Sequence, residues 1–392
     1  MKQNNVSHRV TATILSMSLL TVMAGAAIAP ALGIIKAHFA SAPDLLVQLI
    51  VSMPALLIIV TNIFFLQLSR RIGTRTLAMT GLMLYVIAGA GCFFVKDIYI
   101  LLLMRALLGV SVGLIMPLST GLLAYYFPPE QQARLMGLSA AMNQMGGVVA
   151  TLLAGVLATI QWNYAFLVYM IGLIAAVMVY LWLPDAHLGS SNNHGSTFRP
   201  SQLLKFHPSV TGMLLLMILF FIFPTNFAII AREQTTLSSN AITLIMVGLD
   251  AVAFFVGIAF GRLMRVFRMP IKYFAPLFFM MGYTAYLLPS VPMIIAGSAF
   301  IGIAVGVGVP YLNTIASIKG GRDSATTVMP LLSAALYLGQ FASPLIVTPL
   351  SRALLGSEDP CNPYKVGIMI SVVFLLQVWA TRHFQSLPPK TM

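Results

Sequence analysis

Two ionisable side chains, Asp250 and Arg105, lie inside long apolar runs of this 392-residue chain. A charged group at the centre of a membrane helix costs roughly 2.5–3.5 kcal/mol on insertion scales, so such groups usually serve a function. A carboxyl that is shielded from water can load and release a proton near neutral pH, which predicts that Asp250 carries a proton. A guanidinium keeps its proton, so Arg105 would bias a nearby carboxyl or bind an anionic group of a substrate.

Each of these two residues also has a structural interpretation. Asp250 could be a hydrogen-bonded acid that fixes helix packing, and Arg105 could be a cation bonded to backbone carbonyls. The first half of the chain offers no mid-span carboxylate. The sequence therefore leaves both interpretations open for both residues.

The composition indicates that lipid surrounds the chain. Hydrophobic residues make up 59% and charged residues 8%, whereas soluble proteins carry about 25% charged residues. The net charge is +13. In a membrane protein such an excess of Lys and Arg is explained by basic cytoplasmic loops, so it does not indicate nucleic acid as a partner. The two cysteines, Cys92 and Cys361, lie far apart and predict neither a disulfide framework nor a zinc site.

The apolar runs predict an all-α integral membrane protein with twelve transmembrane helices in two pseudo-symmetric bundles of six. A bilayer-spanning helix needs about 20 apolar residues, and the first run is too long for a secretory signal. The polar stretch 184–208 is predicted as a cytoplasmic linker between an N-terminal bundle, 1–183, and a C-terminal bundle, 209–392. The predicted spans are 10–35, 45–66, 76–95, 98–124, 135–159, 163–183, 209–231, 241–261, 271–288, 291–316, 326–350 and 365–381.

The distribution of basic residues predicts the orientation. Of the 22 Lys and Arg residues, sixteen fall in alternate connections together with both termini, five fall in the other connections, and Arg105 lies in a span. Basic residues concentrate on the cytoplasmic side of membrane proteins. We therefore expect both termini in the cytoplasm and the chain in a bacterial inner (plasma) membrane.

The two halves of the chain resemble each other at an offset of 193 to 195 residues. A motif of two glycines and a proline, four residues apart, occurs in the fourth span and again in the tenth. Small residues at this spacing let a neighbouring backbone approach, and proline lets a helix bend, although glycine and proline are also simply frequent in membrane helices. The motif consists of Gly109, Gly113 and Pro117, repeated as Gly302, Gly306 and Pro310. Parallel repeats of this kind place a substrate site near the midplane of the membrane.

Local patterns carry a resemblance to a known family. The loop after the second span, 66–75, keeps Leu68, Arg71, Gly73 and Arg75 of a G-x-L-a-D-r-x-G-r-r pattern. The fourth span carries R-x-x-x-G-x-x-x-G from Arg105 onward. The fifth span resembles the G-x-x-x-G-P-x-x-G-G pattern of proton-coupled antiporters, and the segment 162–166 resembles the family's W-R-x-x-F.

On these motifs the chain resembles the major facilitator superfamily over essentially its whole length, and most of all its twelve-span drug:proton antiporters. The resemblance implies proton-coupled efflux by alternating access, a coupling role for Arg105, and conformational roles for Arg71 and Gly73. Leu66 replaces the first glycine of the loop pattern, and two further departures bear on function. Arg70 replaces the usual acid of the loop, and Thr151 replaces the usual proline of the fifth span. In the family the acid of the loop helps to hold the cytoplasmic side closed, so its replacement by Arg70 predicts a different set of contacts there. The missing proline weakens the assignment to antiporters.

Polar uncharged residues inside the spans are predicted to bind the substrate. Each buried amide or hydroxyl needs a partner, and interhelical hydrogen bonds could supply it without a ligand. The predicted residues are Asn143, Gln144, Asn226, Tyr311, Asn313, Tyr337 and Gln340.

The leading prediction is efflux of a small organic molecule coupled to protons, with uptake by proton symport and translocation of a lipid or amphiphile as alternatives. An enzyme is not expected, since the spans lack His residues and paired carboxylates. No GxxxxGK[ST] loop is present, so neither ATP nor any other cofactor is predicted. His187 and His194 are interpreted as solvated linker residues and no metal site is predicted. A monomer is the expected state.

Overall fold

The computed structural model describes residues 8–127, 129–185, 200–267, 269–288, 290–320, 328–356 and 359–381. Contacts between Cα atoms divide the chain into two compact units, Met1–Asn193 and His194–Met392. Within the described residues both units are helical.

Six spans make up the first unit. Pro30 lies in a 3-10 turn, Ala29–Ala31, that breaks the first span into two helices. Proline has no backbone N–H, so a helix tends to break or bend there. The α-helices of this unit are α1 His8–Ala26, α2 Leu32–His38, α3 Asp44–Arg71, α4 Thr74–Ala90, α5 Ile98–Tyr126, α6 Pro129–Ile160 and α7 Gly172–Trp182. A 3-10 segment, Gly91–Phe94, follows α4, and another, Trp162–Ile171, precedes α7.

The second unit repeats this order of spans with fewer breaks. Its helices are α8 Pro200–Gln234, α9 Ser239–Phe267, α10 Phe274–Tyr286, α11 Val291–Gly320, α12 Met329–Leu355 and α13 Asn362–Ala380. A 3-10 turn, Met269–Tyr273, leads into α10.

Eleven helical segments in the described residues are long and apolar enough to cross a membrane. The 3-10 turn Met269–Tyr273 and α10 occupy the place of the remaining predicted span, 271–288. The all-α membrane fold expected from the sequence is therefore confirmed.

Two helices begin earlier than the sequence predicted. α6 begins at Pro129 instead of residue 135, and α8 begins at Pro200 instead of residue 209. Hydrophobicity marks only the part of a helix that contacts lipid or the protein interior, whereas backbone hydrogen bonds continue through polar residues. Proline is also favoured in the first turn of a helix, where its missing N–H costs nothing.

The repeat is visible in the packing of α5 on α3 and of α11 on α9. A Cβ atom at Gly109 would overlap the backbone oxygen of Pro54. A Cβ atom at Gly302 would lie 2.7 Å from the backbone oxygen of Leu249. The two glycines are 193 residues apart and their partners 195 apart, so the same backbone approach occurs once in each half.

A second pair of contacts repeats in the same way. A Cβ atom at Gly146 of α6 would overlap the backbone oxygen of Leu19 in α1. A Cβ atom at Gly339 of α12 would lie 2.7 Å from the backbone oxygen of Leu214 in α8. Each half therefore uses glycines to bring a later helix against the backbone of its first two spans.

Candidate functional site

Arg105 is fully buried in the first half and makes three hydrogen bonds with its guanidinium group. Nε donates to the backbone oxygen of Ile50 at 2.6 Å, and one terminal nitrogen donates to the hydroxyl of Tyr169 at 2.6 Å. The other terminal nitrogen donates to the backbone oxygen of Ala24. The cation thus joins α5 to α1, α3 and the segment Trp162–Ile171.

The two carbonyls that receive these bonds lack a partner in their own helices for local reasons. Ile50 lies four residues before Pro54, whose ring nitrogen cannot donate to it. Ala24 lies in the last turn of α1, where carbonyls have no intrahelical donor. The sequence therefore creates two unsatisfied acceptors, and Arg105 satisfies both.

Two tyrosines complete this cluster. The Tyr169 hydroxyl donates to the backbone oxygen of Ala24 at 3.1 Å, and the Tyr85 hydroxyl donates to that of Leu20 at 3.2 Å. The two rings meet edge to face, with centroids 5.5 Å apart. Arg105 has the environment expected of a structural cation, and its predicted role in proton coupling stays a prediction.

Asp250 has a different environment in the second half. It is half-buried in α9 and makes no hydrogen bond or ion pair with any residue that the structure describes. Thr243 and Gly257, seven residues away on either side, share its face of the helix. A Cβ atom at Gly257 would come no closer than 4.0 Å to a neighbouring side chain or helix. Along this face of α9 the helix is open at Gly257 and closely packed at Thr243, which is buried.

The position that corresponds to Arg105 in the second half holds Ser298. Its hydroxyl pairs with that of Tyr286 at 2.7 Å and donates to the backbone oxygen of Ile294 at 3.0 Å. Tyr364, which corresponds to Tyr169, lies against Tyr286 with ring centroids 5.0 Å apart. Neutral hydroxyls and aromatic rings thus occupy the place that the cation holds in the first half.

Of the predicted substrate residues in the first half, Asn143 is half-buried and Gln144 is exposed. Asn143 accepts a hydrogen bond from the Thr21 hydroxyl at 3.0 Å. Ser18 and Ser139 pair one turn away at 2.7 Å. Asn143 therefore belongs to a polar contact between α1 and α6.

In the second half two of the predicted substrate residues, Tyr311 and Asn226, lie apart along their helices. Tyr311 lies in α11 close to Gly308, whose Cβ position faces Leu216 of α8. Asn226 lies ten residues beyond Leu216, which is about 15 Å along the helix, and bonds to the backbone of Ile222 at 2.9 Å. These two residues are therefore at different depths in the bundle.

The remaining predicted residues in this half differ in burial. Asn313 and Tyr337 are half-buried and Gln340 is buried. Asn313 follows Gly306 by two turns and so shares the face that α11 presents to α9. Pro117 and Pro310 lie inside α5 and α11, as the repeat motif predicts.

Comparison with known proteins decides the family. Residues 14–344 match the Major Facilitator Superfamily. The chain belongs to this superfamily. Its members are transporters and not enzymes, so this chain is a multi-pass membrane protein of the secondary transporter class.

Individual relatives are distant. The chain is 23% identical to the quinolone resistance protein NorA of Staphylococcus aureus over 301 residues, which is 72% of this chain and 75% of that protein. The niacin transporter NiaP of Acinetobacter baylyi is 31% identical over 115 residues, 29% of this chain and 26% of that protein.

Solved structures show the same fold. A bacterial homologue of the human lysosomal transporter Spinster superposes with a TM-score of 0.75 at 18% identity, covering 96% of this chain and 95% of its own. The nucleoside transporter NupG superposes with a TM-score of 0.78 at 9% identity, covering 95% and 99%.

In this transporter the loop after α3 has a partner that the sequence did not predict. The Asp185 carboxylate, just after α7, accepts a hydrogen bond from the Arg75 amide at 3.2 Å. A Cβ atom at Gly73 would lie 2.5 Å from that carboxylate, so glycine is needed there for the close approach. Arg71 is exposed. An acid from the end of the sixth span thus reaches a loop in which Arg70 replaces the usual acid.

Sequence reasoning missed the partners of Arg105. Pro54 gave a usable signal, since a proline within a span frees the carbonyl four residues earlier. Tyr169 gave none. In the described ranges no group of three or more His, Cys, Asp or Glu residues could hold a metal ion. His187 and His194 lie outside the described residues.

Proposed function

We propose that this protein exports a small organic molecule across the bacterial inner membrane by alternating access, in exchange for protons, with both termini in the cytoplasm. Asp250 is the observation that carries the proposal. It is a half-buried carboxylate within a span, and it makes no hydrogen bond or ion pair with a described residue.

An acid in this situation is suited to a proton carrier. A carboxylate that is locked in an ion pair or by several donors resists protonation, whereas one without partners can change its charge in response to its surroundings. An ionisable group that no structural bond retains within a membrane span is by default a functional candidate. Asp250 meets this condition, and Arg105, which three hydrogen bonds hold in place, does not.

The direction of transport is inferred from similarity. NorA, to which 72% of this chain aligns, is named for quinolone resistance, and resistance conferred by a membrane transporter is consistent with export. Asn313 and Gln340 are the preferred substrate contacts, because neither makes a hydrogen bond with another described residue.

The test uses inside-out vesicles whose lumen is acidified by respiration. A fluorescent quinolone and a panel of other small molecules are added to vesicles that carry the wild type, Asp250→Asn or Asp44→Asn. We expect one compound to discharge the acid lumen through the wild type and more than about tenfold slower through Asp250→Asn. Asp44→Asn removes an acid from the ion pair with Lys36 at the start of α3 and should match the wild type.

Equal discharge by Asp250→Asn and the wild type would show that Asp250 does not carry the proton. Further acidification of the lumen on adding a compound would indicate symport and contradict export. If the whole panel has no effect, the same vesicles are assayed for transfer of fluorescent lipid between leaflets, and transfer that depends on the protein would replace our proposal.

A further inference from the structure

Pro54 leaves a gap in the hydrogen bonding of α3. A helix satisfies each carbonyl with the amide four residues later, and proline offers none. The backbone oxygen of Ile50 is therefore without an intrahelical donor, and Ile50 is completely buried. Inside a membrane protein such a group must find another donor, because neither lipid nor apolar side chains offer one in place of water.

Arg105 supplies that donor from the neighbouring helix. Its Nε lies 2.6 Å from the backbone oxygen of Ile50. One turn further along α5, Gly109 lies against the backbone oxygen of Pro54 itself. Arg105 and Gly109 thus contact α3 on both sides of its proline, and the glycine allows the close approach of the two helices.

The same guanidinium reaches the break in the first span. It donates to the backbone oxygen of Ala24, close to the end of α1, and to Tyr169, which donates to the same oxygen. We propose that Arg105 is a positioning residue that replaces the hydrogen bond removed by Pro54 and holds α3, at its proline, against the end of α1.

The second half supplies a natural control. Leu249 occupies the place of Pro54, so the helix α9 keeps its own hydrogen bond there, and Ser298 occupies the place of Arg105. The half without the proline also lacks the cation. This inference goes beyond the proposed transport function, because it concerns the geometry of the first half and assigns no proton to Arg105.

The experiment compares the wild type with Arg105→Lys, Pro54→Ala and the double variant. Lysine keeps the charge but carries its donors on one atom, so it cannot reach three elements at once. Pro54→Ala restores the missing amide, so it should make the bond from Arg105 to Ile50 dispensable. Pro349→Ala combined with Arg105→Lys is the matched control, since it removes a helix proline from the second half.

The first readout is alkylation of the two native cysteines by N-ethylmaleimide, measured by mass spectrometry on the purified protein. Cys92 is buried in the first half, and Cys361 is partly exposed in the second. We expect Arg105→Lys to raise the rate of alkylation at Cys92 about tenfold. Loss of a buried hydrogen bond makes local opening of the first half more frequent by about that factor, and Cys92 reacts when it is exposed by such opening. The rate at Cys361 should not change, and Pro54→Ala should restore Cys92 protection at least in part.

The second readout is the pH profile of proton flux in vesicles, driven by the compound that is active in the test of Asp250. If Arg105 is a positioning residue, Arg105→Lys lowers the maximal proton flux without moving the midpoint of the pH profile. Adding Pro54→Ala then restores the flux. A shifted midpoint that Pro54→Ala does not correct would overturn the proposal in favour of proton coupling. Unchanged alkylation of Cys92, or equal rescue by Pro349→Ala, would also overturn it. The alkylation result needs no substrate, so it remains decisive if the proposed function fails.

Discussion

The two halves of this transporter share their backbone contacts and differ in their polar chemistry. In each half a glycine of the fourth span lies against a carbonyl of the second, and a glycine of the fifth lies against a carbonyl of the first. Gly109 corresponds to Gly302 and Gly146 to Gly339. The polar chemistry differs at the position of Arg105, which is matched by Ser298 in the second half.

This difference shows what a duplicated membrane fold must keep. Close helix packing depends on small residues and backbone shape, and both halves need it. A buried charge is costly and is retained only where bonds or function offset its cost. The first half holds a cation that is fully bonded, and the second holds Asp250, which has no bond to a described residue. The halves therefore share an architecture, whereas within the described spans the acid without a partner belongs to the second half.

The largest expected effect comes from copying the cation into the second half. Ser298→Arg would bury a guanidinium near α9, which has no proline at the place of Pro54 to free a carbonyl for it. An uncompensated buried charge typically costs about 3–5 kcal/mol, so we expect a severe loss of folded protein. Ser298→Ala is the matched control and removes only hydroxyl bonds, at about 1 kcal/mol.

Yield after detergent extraction and thermal unfolding of the purified variants would measure this difference. If Ser298→Arg were as stable as Ser298→Ala, the second half would hold buried acceptors that bind a guanidinium at this position, and the two halves would not differ in this respect.

An intermediate effect is expected from the shared glycines. Gly109→Ala and Gly302→Ala each place a methyl group against a backbone carbonyl that cannot move aside. Overpacking of this kind costs about 1–3 kcal/mol, with the larger loss at Gly109, where the carbonyl is closer. Gly261→Ala meets nothing within 4 Å and should be neutral or stabilising by up to about 1 kcal/mol, because alanine favours helix.

Thermal unfolding of the three alanine variants in one detergent checks this order. Equal stability of Gly109→Ala and Gly261→Ala would mean that α3 and α5 are not in backbone contact.

The smallest effect is expected at two ion pairs, one in each half. Lys36 pairs with Asp44 and Lys365 with Asp359, both at 2.6 Å. Exposed pairs of this kind contribute about 1 kcal/mol or less. The hydrogen bond from Lys365, followed by one from the Cys361 amide, lowers the pKa of Asp359 below its ordinary value of 3.8.

Because that pKa is lower in the folded protein, the pair stabilises at pH values above 3.8, and the gain is lost as the pH falls through the folded pKa. Asp359→Asn should therefore be slightly less stable than the wild type at pH 7, and the difference should disappear in acid. Unfolding temperatures across a pH series would show this. A difference that persists in acid would assign the effect to the Asp359 bond with the Cys361 amide or to packing.

Much of the fold could be predicted from the sequence because lipid imposes local requirements. Each span must be long and apolar, so hydropathy identified twelve of them. The repeat motif of Gly109 and Gly302 indicated close packing, although it could not name Pro54 and Leu249 as the partners. Helix ends such as Pro129 and Pro200 were misplaced, because polar residues continue a helix without leaving a hydrophobic signal.

The candidate site was predicted less well, since bonding depends on residues far apart in the chain. The sequence identified Asp250 and Arg105 as exceptional and could not distinguish a free acid from a bonded cation. It also grouped Tyr311 with Asn226, whereas the packing of α11 on α8 places them at different depths.

By itself, the sequence determined that this protein lies in a membrane, that it has twelve spans in two related halves, and that two spans contain a charge. These properties follow from composition and spacing, because a helix is stable in lipid only if it is long and apolar enough to span the bilayer. Only the tertiary structure decided that Arg105 is held by the carbonyls of Ile50 and Ala24. Ile50 and Ala24 lie 55 and 81 residues from Arg105 in the chain and belong to other helices. The bonds therefore depend on how the glycines, the proline and Tyr169 bring these helices together.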